Sequence, residues 1–171
     1  MSETVETHLC GWLVLQRPDG SVLLARRSGV TYGEGLWGLP GGHAERKESW
    51  ALAAAREALE EIGVAAAPDA LVPLGITRYA DGDLHGVDAF FLATRWQGEP
   101  SAVSECSEVA WYNPQALPDD ALPWLASSLE KHLLQRVWLD ELFSRYWPVL
   151  ATVSIERPGS VPFLPVISVR M

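Results

Sequence analysis

Cysteine is scarce in this chain: Cys10 and Cys106 are the two present, far apart and in no CxxC or CxxH spacing. That excludes a disulfide framework and a zinc site of ordinary spacing, and both read as buried or free thiols. Basic charge is also short, with 13 lysines and arginines against 22 aspartates and glutamates and a formal charge of -9. No basic run or stripe offsets the acid, so no nucleic acid polymer is expected as a partner, and a phosphate ligand would need a metal ion or a few local arginines. No apolar run approaches the ~20 residues of a membrane helix. The opening MSETVETH is acidic and polar where a secretory signal is basic and then apolar. A cytoplasmic protein with no membrane contact is the expectation. Internal repeats and low-complexity tracts are absent as well.

What is present is a chain of 171 residues, 48% of them hydrophobic, enough for one substantial core and too short for two ordinary domains. HLCGWLVLQ and VLLARR read as strands of a β-hairpin around the turn RPDGS. SGVTYGEGLWGLPGGHAE is too rich in glycine for a regular element and reads as a shaped loop, with Trp37 and Leu39 anchoring a short strand inside it. A helix is expected from Glu48 or Ser49 to Ile62, with Ser49 as cap and Gly63 as its glycine stop. LVPLGITRY, VDAFFLATRW and EVAWY follow as strands. Pro123 can open a long helix with Leu125, Leu129, Leu133, Leu139, Leu142 and Tyr146 at helical spacing. Residues 1–147 are expected to form the domain. The apolar extension 148–171 would pack on it or on a partner subunit, which makes a homodimer possible.

The helix carries the chemistry. Taking about 100° per residue, Leu52, Ala55, Leu59 and Ile62 share one stripe, while Glu57, Glu60 and Glu61 share an arc roughly 100° wide on the other side. Glu57 and Glu61 are a like-charged i,i+4 pair with no lysine or arginine placed to relieve it, in a last turn that already carries partial negative charge. A solvated face is the ordinary reading of a glutamate-rich helix. Carboxylates gathered without cationic partners are also what a hard divalent ion requires, and oxygen-only ligation favours magnesium or manganese over zinc or copper.

In order, the chain has Gly42, five residues, Glu48, seven residues, Arg56-Glu57, then Glu60-Glu61 and Gly63-Val64. This run resembles the signature box of the Nudix hydrolases at every fixed position, with Ala58 a soft departure where a larger aliphatic residue is usual. LWGLPGG before the box and WYNPQALP after it are also similar to the family, so the resemblance spans Cys10 to Leu117. It implies an α/β chain of α+β type, with a mixed β-sheet between helices and the box as a loop-helix-loop. It implies water-driven cleavage of a nucleoside diphosphate linked to another moiety, with Mg2+ or Mn2+ as cofactor.

By matching position, Glu57, Glu60 and Glu61 would hold metal, a backbone carbonyl of Gly41 or Gly42 would add a ligand, and Arg56 would pair with Glu48 to orient the helix. The family leaves the general base open between a box glutamate and a later carboxylate, here Glu105 or Glu108, of which Glu108 is the better match. Arg26 and Arg27 end a strand near the glycine loop, where relatives place a substrate arginine. Strand neighbours point to opposite faces, so one of them should reach the site, and Arg27 is the choice. Tyr79, among other aromatics, could stack on a base.

The arrays that mark NADH and coenzyme A members are lacking, so nucleoside di- or triphosphates are favoured, with a nucleoside monophosphate as product. Dinucleoside polyphosphate, ADP-ribose or nucleotide-sugar hydrolysis is the alternative within the class. Outside it stand a catalytically silent nucleotide-binding module and a diphosphate isomerase that would need a reactive cysteine facing a glutamate.

Overall fold

A computed structural model of the protein describes residues 7–81 and 84–143 and, as backbone, 155 and 156. Nine strands are assigned among them. A six-stranded mixed sheet runs in the order β4 (Gly41–His43), β1 (Thr7–Leu15), β6 (Leu84–Ala93), β5 (Val72–Asp81), β8 (Val137–Phe143) and β9 (Ile155–Glu156). β1 with β6 and β5 with β8 are parallel; the other pairs are antiparallel. A smaller antiparallel sheet orders β3 (Trp37–Gly38), β2 (Val22–Arg27) and β7 (Cys106–Tyr112).

Period-2 alternation divides β1 between two cores. Leu13 and Leu15 meet Ala54, Ala55, Ala58 and Ile62 of α1 (Trp50–Ile62) on one face. Cys10, Trp12 and Val14 meet Leu125, Leu129 and Leu133 on the other. These leucines belong to α2, an α-helical turn Leu125–Ser128 that widens into a π-helix over Leu129–Leu134. The large sheet therefore lies between helices, as expected from the resemblance.

α1 starts and stops where its caps dictate. The Ser49 side chain accepts from the Leu52 N–H, and Gly63 closes the helix with φ 68. Its buried stripe, however, is alanine: Ala53, Ala54, Ala55, Ala58 and Ile62 are covered, while Leu52 and Leu59 stand 46% and 52% exposed. The expected leucine stripe is thus corrected. The helix lies so close to β1 that a side chain at Gly11 would run into the Trp50 carbonyl, and at that distance small residues face the sheet.

Two other expectations change. The turn after β1 forms, with the Ser21 carbonyl accepting from the Arg17 N–H, but β1 and β2 do not pair as a hairpin ladder. Both edges of β1 are taken by β4 and β6, so β2 leaves to build the second sheet. The long helix ends at Leu134, starts at Leu125 rather than Pro123, and is followed by Arg136 at φ 61 and the strand β8. β8 fills the free edge of β5, and ladder hydrogen bonds there outweigh the helical spacing of Leu139 and Leu142. The extension 148–171 lies outside the described residues apart from Ile155 and Glu156, whose backbone pairs with β8.

Candidate active site

A cavity of about 750 Å3 opens between the end of α1, the edge strand β4 and the sheet face beneath α2. The register of β1 and β4 sets Gly41 and Gly42 opposite Trp12 and Gly11. Glu57, Glu60 and Glu61 all line the cavity together with both glycines. Their arc does not face away from the core. It runs from exposed Glu60 through half-buried Glu57 to Glu61, which is only 7% exposed.

Each of the two deeper carboxyls is held by the glycine loop. Glu61 Oε2 accepts from the Gly41 N–H at 3.0 Å. The Glu57 carboxyl lies against Gly42 on β4, where an added Cβ would sit 2.9 Å from it, so a larger residue there would push the carboxyl aside. Burial pushes Glu61 up to about 8, and the Gly41 hydrogen bond offsets part of that rise. Glu57 is raised too, by burial first and against the pull of Arg56. Both shifts are the mark of negative charge held where water is scarce.

Arg56 departs from expectation. It does grip Glu48 bidentately, Nε to Oε1 at 2.9 Å and Nη2 to Oε2 at 3.0 Å. Glu48 is held below its ordinary carboxylate value chiefly by this guanidinium and also accepts from the Glu45 N–H. Yet Arg56 also donates through Nη1 to Glu57 at 2.9 Å and Glu60 at 3.2 Å, and through Nη2 to the His43 carbonyl. The three glutamates are therefore not left unpaired. Arg56 stands four residues before Glu60, an i,i+4 relation that attention to Glu57 and Glu61 alone passes over.

The helix C-terminus is relieved as well. The Glu61 carbonyl receives the Val103 N–H and the Cys106 thiol, the Glu60 carbonyl the Ser104 hydroxyl, and the Ile62 carbonyl the Ser101 N–H. These bonds fasten the segment that carries Glu105, and Glu105 lines the cavity. Glu108 does not. Glu108, on β7, pairs in register with Arg26 of β2. Arg27 lines the cavity, its Nε donating to the Tyr32 carbonyl at 2.9 Å, whereas Arg26 turns to Asp120 and the Trp37 ring. Alternation along β2 separates the two arginines as expected. Tyr79 also lines the cavity.

The donor chemistry fits a divalent cation: carboxylate oxygens crowded against glycine backbone, two of them raised by burial. Among the described residues no three His, Cys, Asp or Glu side chains are already converged on a point that could hold an ion. Arg56 engages one oxygen of each of Glu57 and Glu60, Oε1 and Oε2 respectively.

Sequence reasoning misses the opposite wall, lined by Cys10, Trp12, Thr77, Asp88 and Trp124. Cys10, Asp88 and Thr77 stand level on three adjacent strands and so share a face. An aspartate in the apolar run VDAFF is the available signal. Cys10 shares the cavity with Glu57, but its thiol is pushed up to about 12 by burial and by Asp88 and Glu57, which makes it a poor nucleophile.

The NUDIX domain model matches residues 8–135. Similar solved structures include a MutT NUDIX hydrolase from Burkholderia pseudomallei, 28% identical, covering 73% of this chain and 97% of that one with a TM-score of 0.66. The E. coli ORF135 protein is 25% identical, with 77% and 92% covered and a TM-score of 0.64. The NUDIX domain of Shewanella oneidensis NrtR, complexed with ADP ribose, is 25% identical over 64% of this chain and 74% of that one, with a TM-score of 0.52.

Proposed function

Since the chain belongs to the NUDIX family of hydrolases, we propose that it is a metal-dependent pyrophosphohydrolase acting on nucleoside di- or triphosphates, with a nucleoside monophosphate as product. The observation that carries this is the meeting of Glu57, Glu60 and Glu61 with Arg27 around one cavity. Glu57, Glu60 and Glu61, with a backbone carbonyl of Gly41 or Gly42, would hold Mg2+ or Mn2+. Bound there, the ion neutralises phosphate charge and acidifies a water.

The chain's own groups do the rest. Arg27 offers a guanidinium fork to phosphate oxygens. Arg56, anchored on Glu48, keeps the helix entrance against the glycine loop while the glutamates change partner. Glu105, which lines the cavity, is favoured over Glu108 on β7 to take the proton from the attacking water. Among the described residues no helix is long and apolar enough to cross a membrane. The extension 148–171 is read as packing on the domain through β9, or on a second copy.

A second reading, cleavage of an ADP-ribose-like derivative, is supported by the ADP-ribose complex of the NrtR NUDIX domain. Isomerase chemistry is disfavoured by the raised Cys10 thiol. The test is a product-resolved assay against canonical and oxidised nucleotides, nucleotide sugars, ADP-ribose and dinucleoside polyphosphates, with magnesium and with manganese. Nucleoside monophosphate release that stops on chelation is expected. Metal-independent turnover, or none on any member of the panel, would reject the assignment.

A further inference from the structure

The floor of the cavity is a face of the large sheet on which strand alternation and register set side chains in rows. One row holds Cys10, Asp88 and Thr77 on adjacent strands, and the protein itself engages its buried polar groups. The Asp88 carboxyl meets the Trp12 indole N–H and the Cys10 thiol, and Thr77 Oγ1 lies 2.7 Å from His132 Nε2. His132 Nδ1 donates to the Val137 carbonyl at 2.7 Å, so the neutral ring leaves Nε2 to accept the Thr77 proton. The neighbouring row is of another kind. Leu142, Tyr79, Gly86 and His8 stand in register across four strands. Gly86 has no side chain, and Tyr79 fills its place: a Cβ there would run into the tyrosine hydroxyl and ring. Leu142, Tyr79 and His8 line the cavity, and so does Leu84, two residues before Gly86 on the same face and 41% exposed.

We propose that Tyr79, laid over Gly86, is the platform on which the cavity receives a nucleobase, and that it takes bases by their faces with little discrimination among them. This rests on the nucleotide-hydrolase reading above. One base is told from another by the donors and acceptors along its edge. On this floor Asp88 and Thr77 already have partners, and His8 Nδ1 has His43 Nε2 at 2.7 Å, so what is left to meet a ring is aromatic and apolar surface. Every base has a π-face, which makes stacking tolerant of base identity. A pocket that recognises by apolar contact separates related ligands by roughly 10–200-fold, whereas one built around free polar groups reaches about 10⁴-fold or more. A tyrosine that covers a glycine of the next strand is also ordinary sheet packing. Packing alone would leave the ring sealed. Here Tyr79 stands half-buried in a cavity of about 750 Å3 that reaches to the glutamates, room enough for a nucleotide.

The test compares wild type with Tyr79→Leu, which removes the ring but keeps a cover over Gly86, and with Tyr79→Phe, which keeps both. Steady-state kinetics are measured with magnesium on the four nucleoside triphosphates and on tripolyphosphate, and binding of the four nucleoside monophosphates is measured calorimetrically without metal. Wild-type kcat/KM is expected to agree among the four bases within about 100-fold. In Tyr79→Leu the KM for all four rises about tenfold or more, equivalent to about 1.4 kcal/mol. There kcat stays within about threefold, monophosphate affinity falls by the same factor as KM rises, and tripolyphosphate, which carries no base, is turned over as by the wild type. Tyr79→Phe restores the wild-type KM. A wider preference for one base would overturn the tolerance, because a polar group would then be reading its edge. Unchanged KM and monophosphate affinity in Tyr79→Leu, or an equal fall on tripolyphosphate, would make Tyr79 a cover for Gly86 and overturn the platform. Failure of the wild type on every substrate would reject the hydrolase reading alone, because monophosphate binding still decides the platform. If near-UV circular dichroism shows Tyr79→Leu unfolded, Tyr79→Met, whose unbranched chain fits irregular gaps, supplies the second variant.

Discussion

The two walls of the cavity solve the burial of acid in opposite ways. On the α1 wall every carboxyl has company: Glu61 has the Gly41 N–H, Glu57 and Glu60 share Arg56, and Glu48 holds the same guanidinium bidentately. On the sheet wall the buried Asp88 carboxyl meets the Trp12 indole N–H and the Cys10 thiol, neutral donors whose pull burial outweighs. The first arrangement can exchange partners without leaving a charge bare, as suits a site that admits and releases charged ligands. The second has neutral donors against it, so the burial of its charge stays largely uncompensated.

The comparison breaks most visibly on the α1 wall. Glu60→Gln and Glu61→Gln are expected to lower magnesium-dependent turnover by ~100-fold or more, the scale of losing one preorganised charge contact in a reacting site. Thermal unfolding should move little, because Gln is isosteric with Glu. Unchanged turnover in both variants would show that the gathered glutamates are an ordinary solvated face.

On the sheet wall the expected effect is on stability. The folded carboxyl of Asp88 is raised from 3.8 to about 7, so between those values the folded protein binds more protons than the unfolded chain and stability falls as pH rises. Asp88→Asn removes this penalty. It should be more stable than wild type by on the order of 4 kcal/mol at pH 8, with the difference vanishing near pH 3.5. Urea denaturation across pH measures it, and a constant difference would mean that burial does not raise the folded carboxyl.

Arg56→Ala has the opposite sign. It strands Glu48, whose side chain is 8% exposed, and should cost roughly 1–3 kcal/mol at pH 7. Because the Glu48 carboxyl is depressed below 4.5, that stabilisation is complete above 4.5 and is lost as pH falls through the folded value. Denaturation midpoints that stay parallel down to pH 2.5 would contradict the pairing. The smallest effect concerns the thiols. Cys10, raised to about 12, should alkylate more slowly with iodoacetamide at pH 8 than Cys106, which is less buried. Mass spectrometry of the labelled peptides ranks the two.

Much of the α1 wall is legible in the amino-acid sequence because its information is local. Capping at Ser49 and Gly63, the spacing of Glu57, Glu60 and Glu61, and the short reach from Arg56 to Glu48 all lie within one helix and the turn preceding it. The pairing of β2, the true end of the second helix and the buried stripe of α1 are not legible in the same way, because each depends on what occupies a neighbouring edge or face. β1 has no edge left for β2, β5 has one open for β8, and the close approach at Gly11 turns alanine rather than leucine inward. Asp88 is legible only as an oddity in an apolar strand.

By itself, then, the sequence determined the family, the acidic helix and the fact that one of two adjacent arginines would face the site, since helical and strand periodicities are set by the backbone of a single segment. Only the tertiary structure decided that Arg56 is shared among the glutamates, that Glu105 and not Glu108 reaches the cavity, and that Asp88 and Trp12 meet on its far wall. The last two follow from pairing between strands far apart in the chain, antiparallel for Arg26 with Glu108 and parallel for Cys10 with Asp88. No local pattern encodes that register; it is fixed when the two cores close on both faces of one sheet.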